Sequence, residues 1–142
     1  MSLQKLKKRI KKNEGYSNIP YKDKLGFKTI GYGHLIKKNE TYFFKTKYKK
    51  SHLNYIFNQD FKKAYKKYKT LFYKKQHNQN DKELLIEMIF QLGAKGVSKF
   101  KNMLFYLNRQ ERYMVCLEML DSLWYLQTPN RVDNLIKNYT EN

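Results

Sequence analysis

Two acidic residues near the N-terminus, Glu14 and Asp23, have the types and surroundings that acid–base chemistry requires. Glu14 stands four residues after Ile10, at the end of the apolar stripe of a predicted first helix. Partial burial and the negative end of the helix dipole both disfavour its ionised form, which suits a general acid. Asp23 lies between Lys22 and Lys24, whose charges favour its ionised form. Two carboxyl groups biased toward opposite protonation states are a recurring arrangement for cleaving glycosidic bonds.

The segment after Asp23 predicts a short strand that places a hydroxyl and two glycines near these acids. Residues 27–32 alternate like a strand, and Thr29 stands near its start, where its hydroxyl could hold a water. Gly31 and Gly33 alternate with Thr29 on one face, which is consistent with close approach by a bulky ligand. Spacing alone leaves a simpler interpretation open, in which the Glu is solvated, the Asp forms a turn and the glycines mark a bulge.

No pattern in the chain predicts a cofactor or a metal site. Gly31-Tyr32-Gly33 lacks the third glycine and the strand–helix context of a nucleotide-binding loop. Zinc-ligand spacing is missing among the histidines and the one cysteine, which are His34, His52, His77 and Cys116. A single cysteine also excludes a small scaffold held together by disulfides.

The elements that must position the acids are mostly helices. Leu3, Leu6 and Ile10 predict a first helix that ends near Asn13 or Glu14. A one-faced apolar pattern predicts a long helix over residues 53–74, whereas residues 35–52 show no clear period and are expected to form a loop with at most a short helix.

The second half of the chain predicts a helical cluster. Asp81 is the predicted N-cap of a helix that is apolar over most of its circumference and should be buried, ending at the glycines 93 and 96. Ser98 is the predicted cap of the next helix, and Thr128-Pro129 predicts the start of the last one. Another helix is expected over residues 110–120, and residues 121–127 are expected to form turns.

The net charge of the 142-residue chain, +18 from 30 basic and 12 acidic residues, favours a polyanionic partner. Lysine outnumbers arginine 26 to 4, which argues against a nucleic-acid surface because arginine forms the forked contacts to phosphates and bases. An AT-rich coding sequence would give the same lysine excess without any partner. No apolar run approaches the roughly 20 residues of a membrane span, and the N-terminus lacks the apolar stretch of a signal peptide.

Literal motifs along the chain closely resemble the phage lysozymes of the T-even type. The motifs near the front are Asn13-Glu14-Gly15, Tyr21-Lys22-Asp23 and Thr29-Ile30-Gly31-Tyr32-Gly33-His34. The later motifs follow in the family's order and are Phe57-Asn58-Gln59-Asp60, Phe90-Gln91-Leu92-Gly93, Gly96-Val97 and Trp124-Tyr125-Leu126-Gln127-Thr128-Pro129-Asn130-Arg131.

This resemblance implies an α+β fold that is mostly α-helical and has two lobes. The N-terminal lobe, about residues 14–54, would hold a small antiparallel β-sheet. A long helix over about 54–74 would connect it to a helical C-terminal lobe of about 75–142, to which helix 1–12 also belongs. The whole chain, 1–142, would then be a single lysozyme-like domain.

The resemblance also implies roles for individual residues. Glu14 matches the general acid, Asp23 the second carboxylate, and Thr29 the threonine that positions the attacking water. Arg131 matches an arginine that pairs with the acid from the other lobe, and His34 and Asp60 match a structural ion pair. The cleft positions that touch the glycan or its peptide match Gly33, Leu35, Phe90 and Gln91. Met103 and Glu118 depart from the family's small polar cleft residues.

The expected activity is cleavage of the β-1,4 bond between N-acetylmuramic acid and N-acetylglucosamine in peptidoglycan, with inversion and without metal or cofactor. The expected partner is the glycan strand, with no nucleic acid, no stable membrane insertion and a monomeric protein. A free endolysin without a signal peptide would collect in the host cytoplasm and need a holin-like pore to reach the wall. Two alternatives stay open: a lytic transglycosylase, and a catalytically inactive basic binding module on the same fold.

Overall fold

The computed structural model describes residues 3–141 and gives a mostly helical chain with one small sheet. In chain order its elements are α1 (Leu3–Glu14), β1 (Ser17–Lys22), β2 (Lys28–Gly31), β3 (His34–Leu35), a short 3-10 helix (Thr41–Phe44), α2 (Lys50–Leu71), α3 (Gln79–Ser98), α4 (Lys101–Asn108), α5 (Arg112–Leu120), α6 (Leu123–Gln127) and α7 (Pro129–Thr140). The three strands form an antiparallel sheet in sequence order. The predicted α+β class is confirmed. The first two residues of the predicted helix 1–12, and residue 142, lie outside the described part of the chain.

The chain divides into two compact units, one ending at Lys63 and the other beginning at Ala64. The boundary falls within α2, so that helix contributes its first two-thirds to one unit and the remainder to the other. The first unit includes α1, which the family resemblance places with the C-terminal lobe. Here the Lys7 ammonium lies over the ring of Phe61, and that of Lys11 lies over Phe57. None of the described helices is both long enough and apolar enough to cross a membrane.

The first unit builds its sheet on a small apolar core. Ile30 from β2, Phe43 from the 3-10 helix and Leu53 from α2 are buried together, with the partly buried Ile36 and Tyr48 packed against them. The predicted strand over 27–32 is β2. Its partner β1 was not predicted, because Pro20 and an irregular register between Ser17 and Tyr21 obscure the strand pattern.

The second unit is organised around α3. Six consecutive residues of this helix, from Leu84 to Ile89, are buried, which confirms the prediction of a helix apolar on most of its circumference. At Gly93, where the sequence predicts the helix to end, the backbone is not helical, with a φ of +78° and a ψ of 164°; the helical run breaks there, and a short second segment continues to Ser98.

Three predicted boundaries in the second unit are wrong. The N-cap of α3 is Asn78 rather than Asp81, which instead occupies the third helical position and completes a reciprocal capping box with Asn78. Ser98 does not cap α4, since its hydroxyl donates to the carbonyl of Ala94 within α3. Part of the segment 121–127, predicted as turns, forms α6, because the Ser122 hydroxyl caps it by accepting from the Tyr125 amide.

Candidate active site

Glu14 is the last residue of α1, where the sequence predicted the helix to end. Its half-buried side chain lies against Gly33, in the two-residue turn between β2 and β3. A Cβ atom built on Gly33 would lie 2.7 Å from Cδ of Glu14 and 3.1 Å from Cγ, and it would meet the carboxylate oxygen Oε2 more closely still. Gly33 also has a φ of +80°. The positive φ favours glycine, and a Cβ atom here would force the Glu14 side chain to move, so Gly33 helps to set the position of the Glu14 carboxyl group.

Asp23 lies at the start of the turn that joins β1 to β2. Its Oδ1 accepts hydrogen bonds from the backbone amides of Leu25, at 3.0 Å, and Phe27, at 2.8 Å. Asp23 backbone groups close the same turn through Phe27 and Gly26. Both of these side-chain hydrogen bonds end on Oδ1, so the turn fixes the carboxylate and leaves Oδ2 as the oxygen suited to receive a proton.

Thr29 lies on β2, and its side chain is only 2% exposed. Its hydroxyl donates to the carbonyl oxygen of Phe27 at 2.9 Å. Because a hydroxyl has one proton and two acceptor positions, Thr29 can still accept a hydrogen bond from a water but has no second proton to give. Tyr21 on β1 and Leu35 on β3 are its neighbours across the sheet, and the Leu35 side chain is exposed.

Tyr21 lies near both predicted acids and was not among the predicted site residues. Burial raises the pKa of its phenol, and the nearby carboxylates of Glu14 and Asp23 raise the pKa further. Both acids therefore influence the pKa of the same side chain, and Tyr21 is the cross-strand neighbour of Thr29 in the sheet. The signal in the sequence is its place in the Tyr21-Lys22-Asp23 motif.

His34 and Asp60, predicted as a structural pair, are in contact. Nδ1 of His34 lies 2.7 Å from Oδ2 of Asp60, and Nε2 lies 3.1 Å from Oε1 of Glu40. Burial alone would lower the pKa of His34, but hydrogen bonds and charge attraction from these two carboxylates outweigh it and raise the pKa. Glu40 was not predicted, because nothing in a lysine- and aromatic-rich loop distinguishes an acid that folds back onto a histidine.

Glu40 also organises its own loop. Its carboxylate accepts from the Lys37 amide at 2.8 Å. Burial alone would raise the pKa of Glu40, but this hydrogen bond and the bond and charge of His34 lower it. A cluster of one histidine and two carboxylates therefore ties α2, the 36–40 loop and β3 together.

The other predicted site residues lie in the second unit. Phe90 and Gln91 are half-buried on α3, and the Gln91 side-chain amide donates to the Thr128 hydroxyl at 3.4 Å. Arg131 on α7 pairs with Glu87 on α3, with 3.4 Å between Nε and Oε2. Glu87 is fully buried, and only 9% of the Arg131 side chain is exposed. The pairing of Arg131 with Glu14 stays a prediction.

Glu87 was missed because it stands among the apolar residues that predicted a buried helix. A charged side chain is almost never fully buried without a partner, so this glutamate itself was a signal that a cation had to face it.

A cavity of about 410 Å³ opens within the second unit. Its apolar walls include Phe100, Met103 and Trp124, whose ring meets that of Phe100 edge-on, and its polar walls include Glu118 and Asp121. The two departures noted in the sequence, Met103 and Glu118, therefore line one cavity. Among the described residues, no cluster of three histidines, cysteines or carboxylates could hold a metal ion. Burial raises the pKa of the free Cys116 thiol.

Comparison with known proteins identifies the class to which this chain belongs. The family model for phage lysozyme matches residues 11–138. Two proteins of Dictyostelium discoideum are similar over nearly their whole lengths. Probable T4-type lysozyme 2 is 30% identical over 154 residues, covering 92% of this chain and 91% of the relative. Probable T4-type lysozyme 1 is 29% identical with the same coverage.

The chain belongs to the phage lysozyme family. It is a lysozyme-like glycoside hydrolase that acts on peptidoglycan.

Proposed function

We propose that this enzyme is a muramidase that cleaves the β-1,4 bond between N-acetylmuramic acid and N-acetylglucosamine. The observation that carries the proposal is the carboxyl group of Glu14, set against Gly33, together with Asp23, whose carboxylate is fixed by backbone amides. Both carboxylates raise the pKa of Tyr21, which pairs with Thr29 across the sheet. One acid that can give a proton and one that can take a proton are the groups that glycoside hydrolysis needs.

In the proposed reaction, Glu14 gives its proton to the glycosidic oxygen as the bond to the anomeric carbon breaks. Asp23 takes a proton from a water that attacks the anomeric carbon from the opposite face, so a β-linked sugar gives an α-configured product. Thr29 orients that water by accepting one of its hydrogen bonds. Proton exchange with solvent then returns Glu14 to the acid form and Asp23 to the carboxylate.

Product analysis of purified peptidoglycan tests this proposal. We expect new reducing ends on N-acetylmuramic acid and, by NMR during the first turnovers, the α-anomer. Reducing ends on N-acetylglucosamine would overturn the bond assignment. Anhydro-ended muropeptides as the main product would show a lytic transglycosylase instead, in which the sugar's own hydroxyl replaces water.

The Glu14→Gln variant distinguishes enzymatic lysis from lysis that the positive charge of the protein would cause without catalysis. Glu14→Gln keeps the size of the side chain but removes the acid, and we expect it to abolish lysis of permeabilised Gram-negative cells. Glu141→Gln is the matched control, because Glu141 is exposed at the end of α7 and pairs only loosely with Lys137, at 3.9 Å. Undiminished lysis by Glu14→Gln would mean that the chain is a basic binding module without catalysis.

A further inference from the structure

The positive charge of the protein is concentrated in the first unit. Before Ala64 the chain has 17 basic and 4 acidic residues, a net charge of +13, whereas the remainder has 13 basic and 8 acidic residues, a net charge of +5. Opposite charges are well mixed only in the second unit. An anionic partner would therefore be attracted mainly to the first unit.

The two acids in the first unit's loops and strands are both held by hydrogen bonds to neighbouring groups of the chain. Between residues 15 and 59 there are nine lysines and two acids, Asp23 and Glu40. The Asp23 carboxylate bonds the backbone amides of its own turn, and the Glu40 carboxylate bonds His34 and the Lys37 amide. All nine lysines are exposed and both acids are half-buried, so this region presents far more positive than negative charge to solvent.

Large apolar side chains stand among these lysines on a surface we name the hairpin tip, which consists of residues 22–28 and Phe44. Leu25 is 45% exposed and Phe27 is 56% exposed in the turn between β1 and β2. Phe44, from the 3-10 helix, is 51% exposed and lies 5.5 Å from the Lys28 ammonium. Exposed lysines flank all three, at positions 22, 24 and 28.

We propose that the hairpin tip binds the surface of an anionic phospholipid bilayer. Lysines beside exposed leucine and phenylalanine are the combination that holds a protein at a lipid interface, since the ammonium groups meet the headgroups and the apolar side chains enter the hydrocarbon boundary. A nucleic acid or a wall polymer would satisfy the lysines but would offer Leu25 and Phe27 no hydrocarbon. The contact is peripheral and needs no spanning helix.

Vesicle flotation with the full-length protein tests the proposal in the absence of peptidoglycan. We expect the protein to float with phosphatidylcholine vesicles that contain phosphatidylglycerol and not with phosphatidylcholine alone, and we expect binding to weaken as salt rises. Leu25→Ser with Phe27→Ser should reduce the partition coefficient about tenfold or more, because two apolar side chains no longer leave water.

The double variant could lose binding because its hairpin misfolds, so a second variant changes a residue on a different element. Phe44→Ser should also weaken binding, and circular dichroism would confirm that the fold is intact. Phe105→Ser is its matched control, since Phe105 is 48% exposed and lies 5.4 Å from the Arg109 guanidinium, but belongs to the second unit. This control should leave binding unchanged.

Three results would overturn the proposal. The first is equal loss in Phe44→Ser and Phe105→Ser, and the second is binding that depends on salt but on none of the apolar residues. The third is binding to isolated cell-wall sacculi without binding to anionic vesicles, which would identify the wall polymer as the partner. None of these results bears on the Glu14 chemistry, so the proposed activity is tested separately.

Discussion

Gly33 and Glu14 touch so closely that the space for the Glu14 carboxyl group exists only because residue 33 lacks a Cβ atom. The turn between β2 and β3 therefore lies directly beside the Glu14 carboxyl group. Glu14 is the last residue of α1, so the end of that helix places its side chain against the turn. The family resemblance placed Gly33 among the residues that touch the glycan. The geometry gives Gly33 a role that does not depend on a bound ligand: it determines where the Glu14 carboxyl group lies.

Gly33→Ala should therefore reduce activity at least tenfold, because the added methyl group displaces the Glu14 carboxyl group from its position. The positive φ adds strain of roughly 1–2 kcal/mol on its own. Gly93→Ala controls for that strain, since Gly93 has a φ of +78° but nothing within 4 Å of a Cβ atom. Thermal melts and turnover on purified peptidoglycan should show destabilisation in both variants and the large activity loss only at position 33. Equal activity losses would contradict this role.

Asp23 has two roles that two substitutions can separate. Asp23→Asn keeps an oxygen that can accept from the Leu25 and Phe27 amides but removes the base, so the fold should persist while the rate falls about a hundredfold. Asp23→Ala removes the hydrogen bonds as well, so it should lose at least as much in rate, with a further stability cost of about 1–2 kcal/mol. Denaturant unfolding beside rate measurements distinguishes the two roles. A fully active Asp23→Asn would exclude Asp23 as the base.

The position of Glu14 could be predicted because local rules decide it. The apolar spacing of Leu6 and Ile10 sets the helix, and Gly15, with a φ of +76°, ends it. The same local logic located β2 and the buried α3. It failed for α6, where a capping hydrogen bond from the Tyr125 amide to the Ser122 hydroxyl starts a helix that has only a weak apolar pattern. It also failed for β1, where an irregular register interrupts the alternation of apolar and polar residues.

Contacts between distant residues could not be predicted from spacing. Glu40 looks like an ordinary acid in the sequence, and Glu87 indicates only that some cation must face it. The folded chain identifies their partners as His34 and Arg131. Family resemblance supplied the pair of His34 with Asp60, because that pair lies within matching motifs, but it had no motif for Glu40. A contact that lies outside every recognised motif is therefore visible only in the structure.

The cluster of His34, Asp60 and Glu40 should make stability depend on pH at both ends. The raised pKa of His34 means that its contribution is fully present below its unfolded-state pKa, near 6.5, and is lost as pH rises through the higher folded-state value. The lowered pKa of Glu40 means that its contribution is present above about 4.5 and is lost as pH falls through the lower folded-state value.

Urea unfolding between pH 3 and pH 9, roughly the range over which these groups titrate, measures this dependence. Subtracting the free energy of unfolding of Glu40→Gln from that of the wild type should leave a difference that declines at both ends. Glu83→Gln on α3 is the control for general charge effects. A difference that does not change with pH would show that Glu40 contributes packing alone.

The buried pair of Glu87 and Arg131 should behave as a coupled unit. Arg131→Met leaves the fully buried Glu87 carboxylate without this cation and should cost about 3–5 kcal/mol of unfolding free energy. Replacing both residues by Met removes both charges and should recover most of that loss, since a well-packed apolar pair often equals a buried ion pair in stability. A double-mutant cycle by urea unfolding gives the coupling energy. If the loss of unfolding free energy in the double variant equals the sum of the two single-variant losses, the two side chains do not depend on each other. Arg131 would then be held by its other neighbours.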